Sequence, residues 1–431
     1  MQSIHRRELF KMAGAAGLAA GLGIAQTGPK PVRIGMVGVG NRGTGILRSL
    51  MDVRGAEVPA ICDLNEANLS RAQGLLEKAG RKRPEGYSSG PEDYRRLVAR
   101  EDLDAVITAT PWEFHTPVCV AAMKAGKYAA SEVPAAINVE ECWELVNTSE
   151  KTGKPCMMLE NVCYYRNVLM VMNLIRQGVL GQLLHAEGGY QHDVRGGKIG
   201  PTGEVKWRGM HSVKRNANVY PTHPIGPIAW WMDINRGDRF THLVSMSTRP
   251  LGINDYVAKR FGKDHPNATR KYAMGDINTS LIRTEKGLTV TLYHDTNLPR
   301  PYDLILRVQG TNGIYSGTLD KIFIEGRSPM KGRAPQWESL DAYYAQYDHP
   351  LFKKFSGRPG AHGPADYIEL VQFVEAVREQ RQTPIDVYDS ATWSVITPLS
   401  EQSVASKSAP VDFPDFTHGK WKTAKPLELV V

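Results

Sequence analysis

From residue 31 the chain alternates short apolar runs with longer segments in which apolar residues return every three or four positions. The run Val32 to Val37 reads as a buried strand, and Ile46, Leu47, Leu50 and Met51 mark the inner face of a helix after it. The same alternation continues with a strand from Glu57 to Cys62, a helix from Glu66 to Ala79 and a Pro/Gly/Ser loop reaching Pro91. Leu103 to Thr108 is the next buried strand, followed by a helix from Thr116 to Gly126 and a strand from Tyr128 to Ser131. Asn138 then caps a helix that Gly153 stops, and Cys156 to Leu159 completes the set. Strands separated by helix-length segments predict a parallel sheet with crossover helices.

Beyond Tyr164 the pattern changes. A helix from Asn167 to Gln177 ends at Gly178, and Leu183 to His192 alternates apolar and polar positions. Leu281 to Arg283, Leu288 to His294, Leu304 to Val308 and Ile314 to Ser316 are short strands separated by turns such as Lys286-Gly287 and Asn312-Gly313. Tight turns between consecutive strands predict an antiparallel sheet. Ser328 to Gly363 is too long for a plain connection and is expected to cross the surface or the site. Tyr367 to Arg381 and Ser390 to Ser406 are expected to be helices that pack back on the core. The fold class is therefore α/β. A doubly wound parallel sheet occupies 31–160, and an α+β domain with a largely antiparallel sheet occupies 161–431.

Composition narrows the class further. Apolar residues make up 42% and charged residues 23%, and no run after the N-terminus is long enough to span a bilayer. The net charge of +8 is dispersed among carboxylates without interleaved aromatics, which argues against a nucleic-acid partner. Five cysteines, an odd number without CxxC spacing, point to buried free thiols rather than disulfides or a zinc site. Residues 1–25 pair Arg6-Arg7 with an Ala/Gly-rich stretch from Met12 to Ala25, the pattern of a twin-arginine export signal, so a periplasmic location is expected.

The first strand runs into Gly38-x-Gly40-x-x-Gly43, and a helix follows at once. That context gives the glycines a job: a tight turn at Gly38, close approach of a pyrophosphate at Gly40, and close helix packing at Gly43. The next strand ends in Asp63, whose carboxylate is placed to accept from both ribose hydroxyls and to repel a 2′-phosphate. The cofactor expected is NAD. Thr110 to His115, at the C-terminal end of a central strand, is expected to line the same site. In the second domain Tyr220-Pro221-Thr222-His223-Pro224-Ile225-Gly226-Pro227 predicts a rigid turn, because its prolines disfavour a regular helix, and such a turn would fix Tyr220 and His223. Tyr190, after Gly188-Gly189, is placed to reach a ligand, whereas Arg208 and Tyr302 are weaker candidates. His192 and Asp193 point to opposite faces of a strand, so no metal is expected.

With these residues in view, the chain resembles the Gfo/Idh/MocA oxidoreductases over nearly its whole length. More narrowly it resembles the NAD-dependent glycosidases of glycoside hydrolase family 109, the α-N-acetylgalactosaminidase group. The resemblance rests on the GVGNRG turn, Asp63, Trp112 to His115, Glu132 to Ala135, Met157 to Asn161, Gly188 to His192 and Tyr220 to Pro227. Dehydrogenases of the wider family carry Glu-Lys-Pro where this chain has Glu132-Val133-Pro134, and Val133 exchanges no proton. The resemblance implies that Gly38, Gly40, Asn41, Arg42, Gly43, Asp63, Trp112, Glu113, Phe114, His115, Glu132, Val133 and Asn161 surround NAD. It further implies that Tyr190, Arg208, Tyr220, His223 and Tyr302 contact the sugar, with Glu160 orienting one of them. His223 and Tyr190 are the expected acid/base pair, and which of them takes each proton stays open at this level.

The implied reaction is hydrolysis of terminal α-linked N-acetylgalactosamine from a glycan or glycoside. It proceeds by transient oxidation at C3, loss of the aglycone, addition of water and return of the hydride. That route dispenses with the pair of carboxylates most glycosidases need. A sugar dehydrogenase or epimerase, and a non-catalytic sugar-binding protein that retains NAD, are the competing readings of the same cleft. A homo-oligomer is also expected.

Overall fold

The computed structural model describes residues 30–358 and 361–430, so the expected export signal lies outside the described residues. The first sheet and its helices follow in chain order. They are β1 (Val32–Val37), α1 (Asn41–Asp52), β2 (Ala56–Cys62), α2 (Glu66–Lys78), β3 (Glu85–Tyr87), α3 (Tyr94–Val98), β4 (Ala105–Thr108), α4 (His115–Lys124), β5 (Tyr128–Ser131), α5 (Val139–Thr152) and β6 (Cys156–Met158). The strands lie in the order β3-β2-β1-β4-β5-β6 and every pair is parallel. This is the doubly wound order, and its switch point falls between β1 and β4, where ligands bind such sheets. β4 and β5 are buried at every position, because helices cover both faces. The predicted caps are present: the Asn138 side chain accepts from the Glu141 N–H at 2.7 Å, and Gly153, at φ 65°, ends α5. β3 lies in what the pattern reads as loop, since three residues give too little periodicity to see.

After α6 (Arg166–Arg176) the chain enters β7 (Leu183–Gln191), which runs through the middle of the second sheet. α7 (Arg195–Lys198), α8 (Trp207–Lys214) and α9 (Thr222–Trp231) precede β8 (Phe240–Ser247). α10 (Gly252–Phe261) leads to β9 (Ile277–Thr284), β10 (Thr289–Asp295), β11 (Arg307–Gly310), β12 (Gly313–Ser316) and β13 (Lys321–Ile324). The expected excursion from Ser328 holds a small hairpin of β14 (Met330–Lys331) and β15 (Ala334–Pro335), then β16 (Glu338–Ser339), α11 (Asp341–Tyr347) and α12 (Pro350–Phe355). β17 (Ala361–Gly363), α13 (Pro364–Glu379), α14 (Val387–Ser394), α15 (Ile396–Ala405) and β18 (Val411–Asp412) follow. The nine-stranded order is β16-β13-β12-β11-β7-β10-β9-β8-β18, antiparallel except for the parallel pair β7–β10.

Three expectations are corrected. The Tyr220–Pro227 segment is not a turn, because Thr222–Trp231 is a helix. Pro224 falls in the first turn, where the N–H has no helical partner in any case, so Pro227 alone removes a bond, and burial along most of the helix outweighs that loss. The strand expected over Leu304–Val308 begins only at Arg307, because Ile305 and Leu306 adopt positive φ. The single late helix over Ser390–Ser406 is two, α14 and α15, meeting at Val395. α13 packs on α1, and α14 on α5 and β6, so the late helices return to the first sheet and the two sheets share one continuous core. All five cysteines are buried and free.

Candidate active site

A cavity of about 640 Å³ opens at the switch point of the first sheet. Gly38, Gly40, Asn41, Arg42, Asp63, Trp112, Phe114, His115, Glu132 and Val133 line it, with Arg208 and Tyr220 at the other end. Gly38 has φ +82°, and a Cβ there would lie 2.8 Å from the Ala109 backbone. At Gly43 a Cβ would meet the Gly38 carbonyl oxygen at 2.0 Å, so α1 packs directly on the turn and Gly43 stands behind the cavity wall. Gly40 differs, because the only atom within 4 Å of its absent Cβ is Asn68 Nδ2 at 3.9 Å. Space at Gly40, together with the N-terminus of α1, which no side chain caps, forms a cradle for a diphosphate. The Asp63 carboxylate accepts from the Val39 and Asn65 N–H groups, each at 2.8 Å, and is thereby aimed at the ribose position. These residues fit NAD.

Other predicted cofactor residues act from behind. The two ring nitrogens of His115 lie 2.7 Å and 2.9 Å from the Pro134 and Thr110 carbonyl oxygens, so the ring ties the β4 loop to the Val133–Pro134 turn. Burial lowers its pKa against the pull of both carbonyls, and the neutral ring that burial favours donates to only one of them. Glu113 is exposed and pairs with His211 at 3.3 Å, outside the cavity lining. Asn161 is buried and donates to Asp366 at 2.9 Å, likewise away from the lining. Arg42 bridges the Glu132 carboxylate at 2.5 Å and Asp366 at 3.0 Å and 3.2 Å, which joins the glycine turn to α13. Burial raises the Asp366 carboxyl, but His362 and Arg42 outweigh it and hold the group below the usual carboxylate range. Glu369, one turn further on and fully buried, is driven well above that range by burial and by neighbouring carboxylates, against the pull of Arg42.

Trp112 and Tyr220, at the cavity wall, join an aromatic cluster whose other members, Tyr190, His223 and Tyr302, stand behind the lining. Trp112 stacks on Tyr220 with ring centroids 5.6 Å apart, and Tyr220 meets Tyr190 at 4.5 Å and His223 at 5.0 Å. Tyr302 closes the group 6.2 Å from Tyr190. Arg208 spreads over Tyr220 and Trp112 at 4.7 Å and 5.2 Å and has no ion-pair partner among the described residues. His223 Nδ1 lies 2.6 Å from Glu160 Oε1, and Glu160 is 0% exposed with its second oxygen unpartnered. Burial raises the phenols of Tyr190, Tyr220 and Tyr302, so all three stay protonated and serve as hydrogen-bond donors at neutral pH. The Tyr190 hydroxyl is 3.2 Å from His192 Nδ1.

Two glycines make this arrangement possible. A Cβ on Gly188 would sit 2.7 Å from Pro224 Cβ, so α9 lies against β7 only because that side chain is missing. A Cβ on Gly226 would meet Glu160 Cγ at 3.0 Å, so Glu160 reaches His223 for the same reason.

Several residues of the site carry no sequence signal. Asp366 and Glu369 lie on a late helix, far in sequence from the turn they serve. Tyr165, whose phenol is pushed up to about 12 by burial and by Glu160, lies beside the sugar-side cluster. Lys198 is buried, donates to Thr296 at 2.7 Å and to Asn297 at 2.6 Å, and is pulled down to about 7 by burial with help from Arg208. His294 pairs in register with Tyr190 on the same sheet face, and its Nδ1 is buried without a partner. No group of three potential metal ligands occurs among the described residues.

The doubly wound sheet and its glycine cradle define an NAD-binding protein of the Gfo/Idh/MocA type. Residues 32–160 match the oxidoreductase family with an NAD-binding Rossmann fold. Among solved structures the chain is similar to an oxidoreductase domain protein from Kribbella flavida, at 16% identity and TM-score 0.70, covering 89% of this chain and 100% of that one. It is also similar to levoglucosan dehydrogenase in complex with NADH and levoglucosan, at 19% identity and TM-score 0.68 with the same coverage. Residues 164–423 match the C-terminal domain of glycosyl hydrolase 109. A glycosyl hydrolase family 109 protein of Shewanella sp. (strain W3-18-1) is 42% identical over 100% of both chains. Another, from Stenotrophomonas maltophilia (strain K279a), is 42% identical over 99% of this chain and 98% of its own. The chain belongs to glycosyl hydrolase family 109 and is a glycosidase that uses NAD.

Proposed function

We propose that the protein removes terminal α-linked N-acetylgalactosamine from a glycan or glycoside through transient oxidation at C3. One observation carries this reading. Beside the cofactor cavity the sugar side offers three phenols, an unpaired guanidinium and a carboxylate-backed imidazole. The carboxylates lining the cavity, Asp63 and Glu132, are already engaged by Val39 and Asn65 and by Arg42. Most glycosidases that displace directly at the acetal use two carboxylates flanking the bond. The Gly38–Gly40 turn, the α1 N-terminus and Asp63 would hold NAD, which when bound would supply a reversible hydride acceptor beside the sugar site.

The chain's residues then divide the proton work. Tyr190, a protonated phenol 3.2 Å from His192 Nδ1, binds the C3 hydroxyl and passes its own proton to His192 as it takes that of the hydroxyl. A ketone at C3 acidifies C2–H, since the carbanion is delocalised as an enolate. His223 takes that proton at Nε2, because the Glu160 carboxylate accepts from Nδ1–H and so fixes the tautomer. Elimination at C1 releases the aglycone, water adds to the enone, and the same groups return their protons. Tyr220, Arg208 and Tyr302 hold the ring. Hydrolysis run in D2O tests the route: deuterium at C2 of the released sugar is expected, and sugar without it overturns the reading.

Export and assembly belong to the same proposal. Arg6 and Arg7 would send the folded, NAD-loaded protein to the periplasm, and no described helix is long and apolar enough to cross a membrane. Met246 and Leu281, exposed on the outward face of paired strands β8 and β9, are where a second copy would dock. Light scattering that finds only monomer would contradict that assembly.

A further inference from the structure

Arg42, in the glycine turn, is committed to Glu132 and Asp366, and Arg71, which donates to the Val39 carbonyl at 3.1 Å, stands behind the cavity lining. Two other cations that line the cavity, Lys206 and Arg208, have no carboxylate within ion-pairing distance among the described residues. Among the described residues the one hydrogen bond of the Lys206 ammonium is to the Gly196 carbonyl oxygen, at 3.4 Å. Its backbone, by contrast, is firmly held. The Lys206 N–H donates to the Lys198 carbonyl at 2.8 Å, and a bridge between Ile199 and Val205 closes the loop before it. α8 sits hard on this segment, since a Cβ on Gly209 would lie 2.5 Å from the Lys198 oxygen.

A run of contacts leads from the glycine turn to the residue after this lysine. The absent Cβ of Gly38 faces the Ala109–Thr110 backbone, which opens the loop carrying Trp112. Trp112 meets the ring of Trp207 edge-on at 5.4 Å, and Lys206 precedes Trp207. Arg208 is held over the rings of Trp112 and Tyr220 at 5.2 Å and 4.7 Å, beside the sugar residues. The α1 N-terminus supplies about +0.5 of an elementary charge against the two negative charges of a diphosphate, so a cation lining the same cavity adds to that hold.

We propose that Lys206 pairs with the diphosphate of NAD bound in the cavity it lines, and that this contact keeps the cofactor in place between turnovers. It rests on NAD binding and not on the sugar substrate. Lys206 thus supplies from the second half of the chain the counter-charge that Arg42, pledged elsewhere, does not.

The test needs no glycoside. Wild type, Lys206→Met and Lys206→Arg are purified identically, bound NAD per chain is measured, and release is followed by displacement with excess fluorescent etheno-NAD. Lys206→Met should release NAD about tenfold to hundredfold faster, the range for losing one charge-assisted hydrogen bond. Lys206→Arg should stay within a few-fold of wild type. Salt should speed release from wild type more than from Lys206→Met. Release from Lys206→Met at the wild-type rate overturns the proposal. So does unchanged release with a raised KM for a nitrophenyl glycoside, which would assign Lys206 to the substrate instead. Melting of the variants at saturating NAD reports whether each still folds.

Discussion

Gly226→Ala separates the position of His223 from everything else the site does. Gly226 lies one turn beyond His223 on α9 and faces the same neighbour, Glu160. The added methyl would sit 2.9 Å from Cys163 Sγ, 3.0 Å from Glu160 Cγ and 3.0 Å from the Trp393 ring, and it is enclosed on all three sides. Ordinary contact begins at 3.4 Å, so the Glu160 side must yield 3.4 − 3.0 = 0.4 Å. If that displacement falls on the His223–Glu160 pair, its 2.6 Å bond lengthens to about 3.0 Å. Stability changes little. Overpacking costs about 1–3 kcal/mol, and replacing glycine inside a helix returns about 1 kcal/mol, which leaves a net loss of about 0–2 kcal/mol. The rate changes more, because a misplacement of about 1 Å can lower it about a hundredfold; for less than half of that, about tenfold in kcat is expected. KM and bound NAD should match wild type. The assay is steady-state release of nitrophenol, with NAD per chain measured on the same sample. A kcat within twofold of wild type at full NAD occupancy would show that the Glu160–His223 distance does not govern turnover.

Three further outcomes are expected. Lys198 titrates near 7 in the folded protein and near 10.4 when unfolded. Between those values the unfolded chain holds a proton the native state lacks, so wild type loses stability as pH falls through this window, and the cost is complete below about 7. Lys198→Met should therefore gain stability relative to wild type as pH falls from about 10.4 to about 7 and then level off; urea unfolding that shows a constant difference would contradict it. His223→Ala should keep its NAD and lose most turnover, and loss of NAD instead would place His223 on the cofactor side. Arg6→Lys combined with Arg7→Lys should trap the protein in the cytoplasm, as read by fractionation, and unchanged export would refute the signal.

The first sheet was legible because its order of strand, glycine turn and helix is set by local periodicity and backbone freedom. Gly38, Gly40 and Asp63 each had a local reason to be where they are. The Tyr220–Pro227 motif was legible as chemistry but not as structure, since two prolines argue against a helix that burial then enforces. Arg42 shows a different limit. Its motif marks a cofactor turn, yet its partners Glu132 and Asp366 come from 90 and 324 residues away, a distance no sequence window spans. Lys198 and Lys206 were illegible for a related reason. A lysine after two glycines, or before a tryptophan, looks solvated until the fold shows one buried and the other facing a cavity. Glu160 stood at a predicted strand edge, but only the missing Cβ of Gly226 explains how it reaches His223.

The central claim is that NAD is reduced and reoxidised within each hydrolytic turnover. It is tested most directly by aglycone release from a panel of α- and β-nitrophenyl N-acetylhexosaminides, with no NAD added and the bound cofactor measured afterwards. The account predicts many nitrophenol equivalents per bound NAD from the α-N-acetylgalactosaminide, with no net NADH. NADH accumulating in step with sugar while no nitrophenol appears would contradict it.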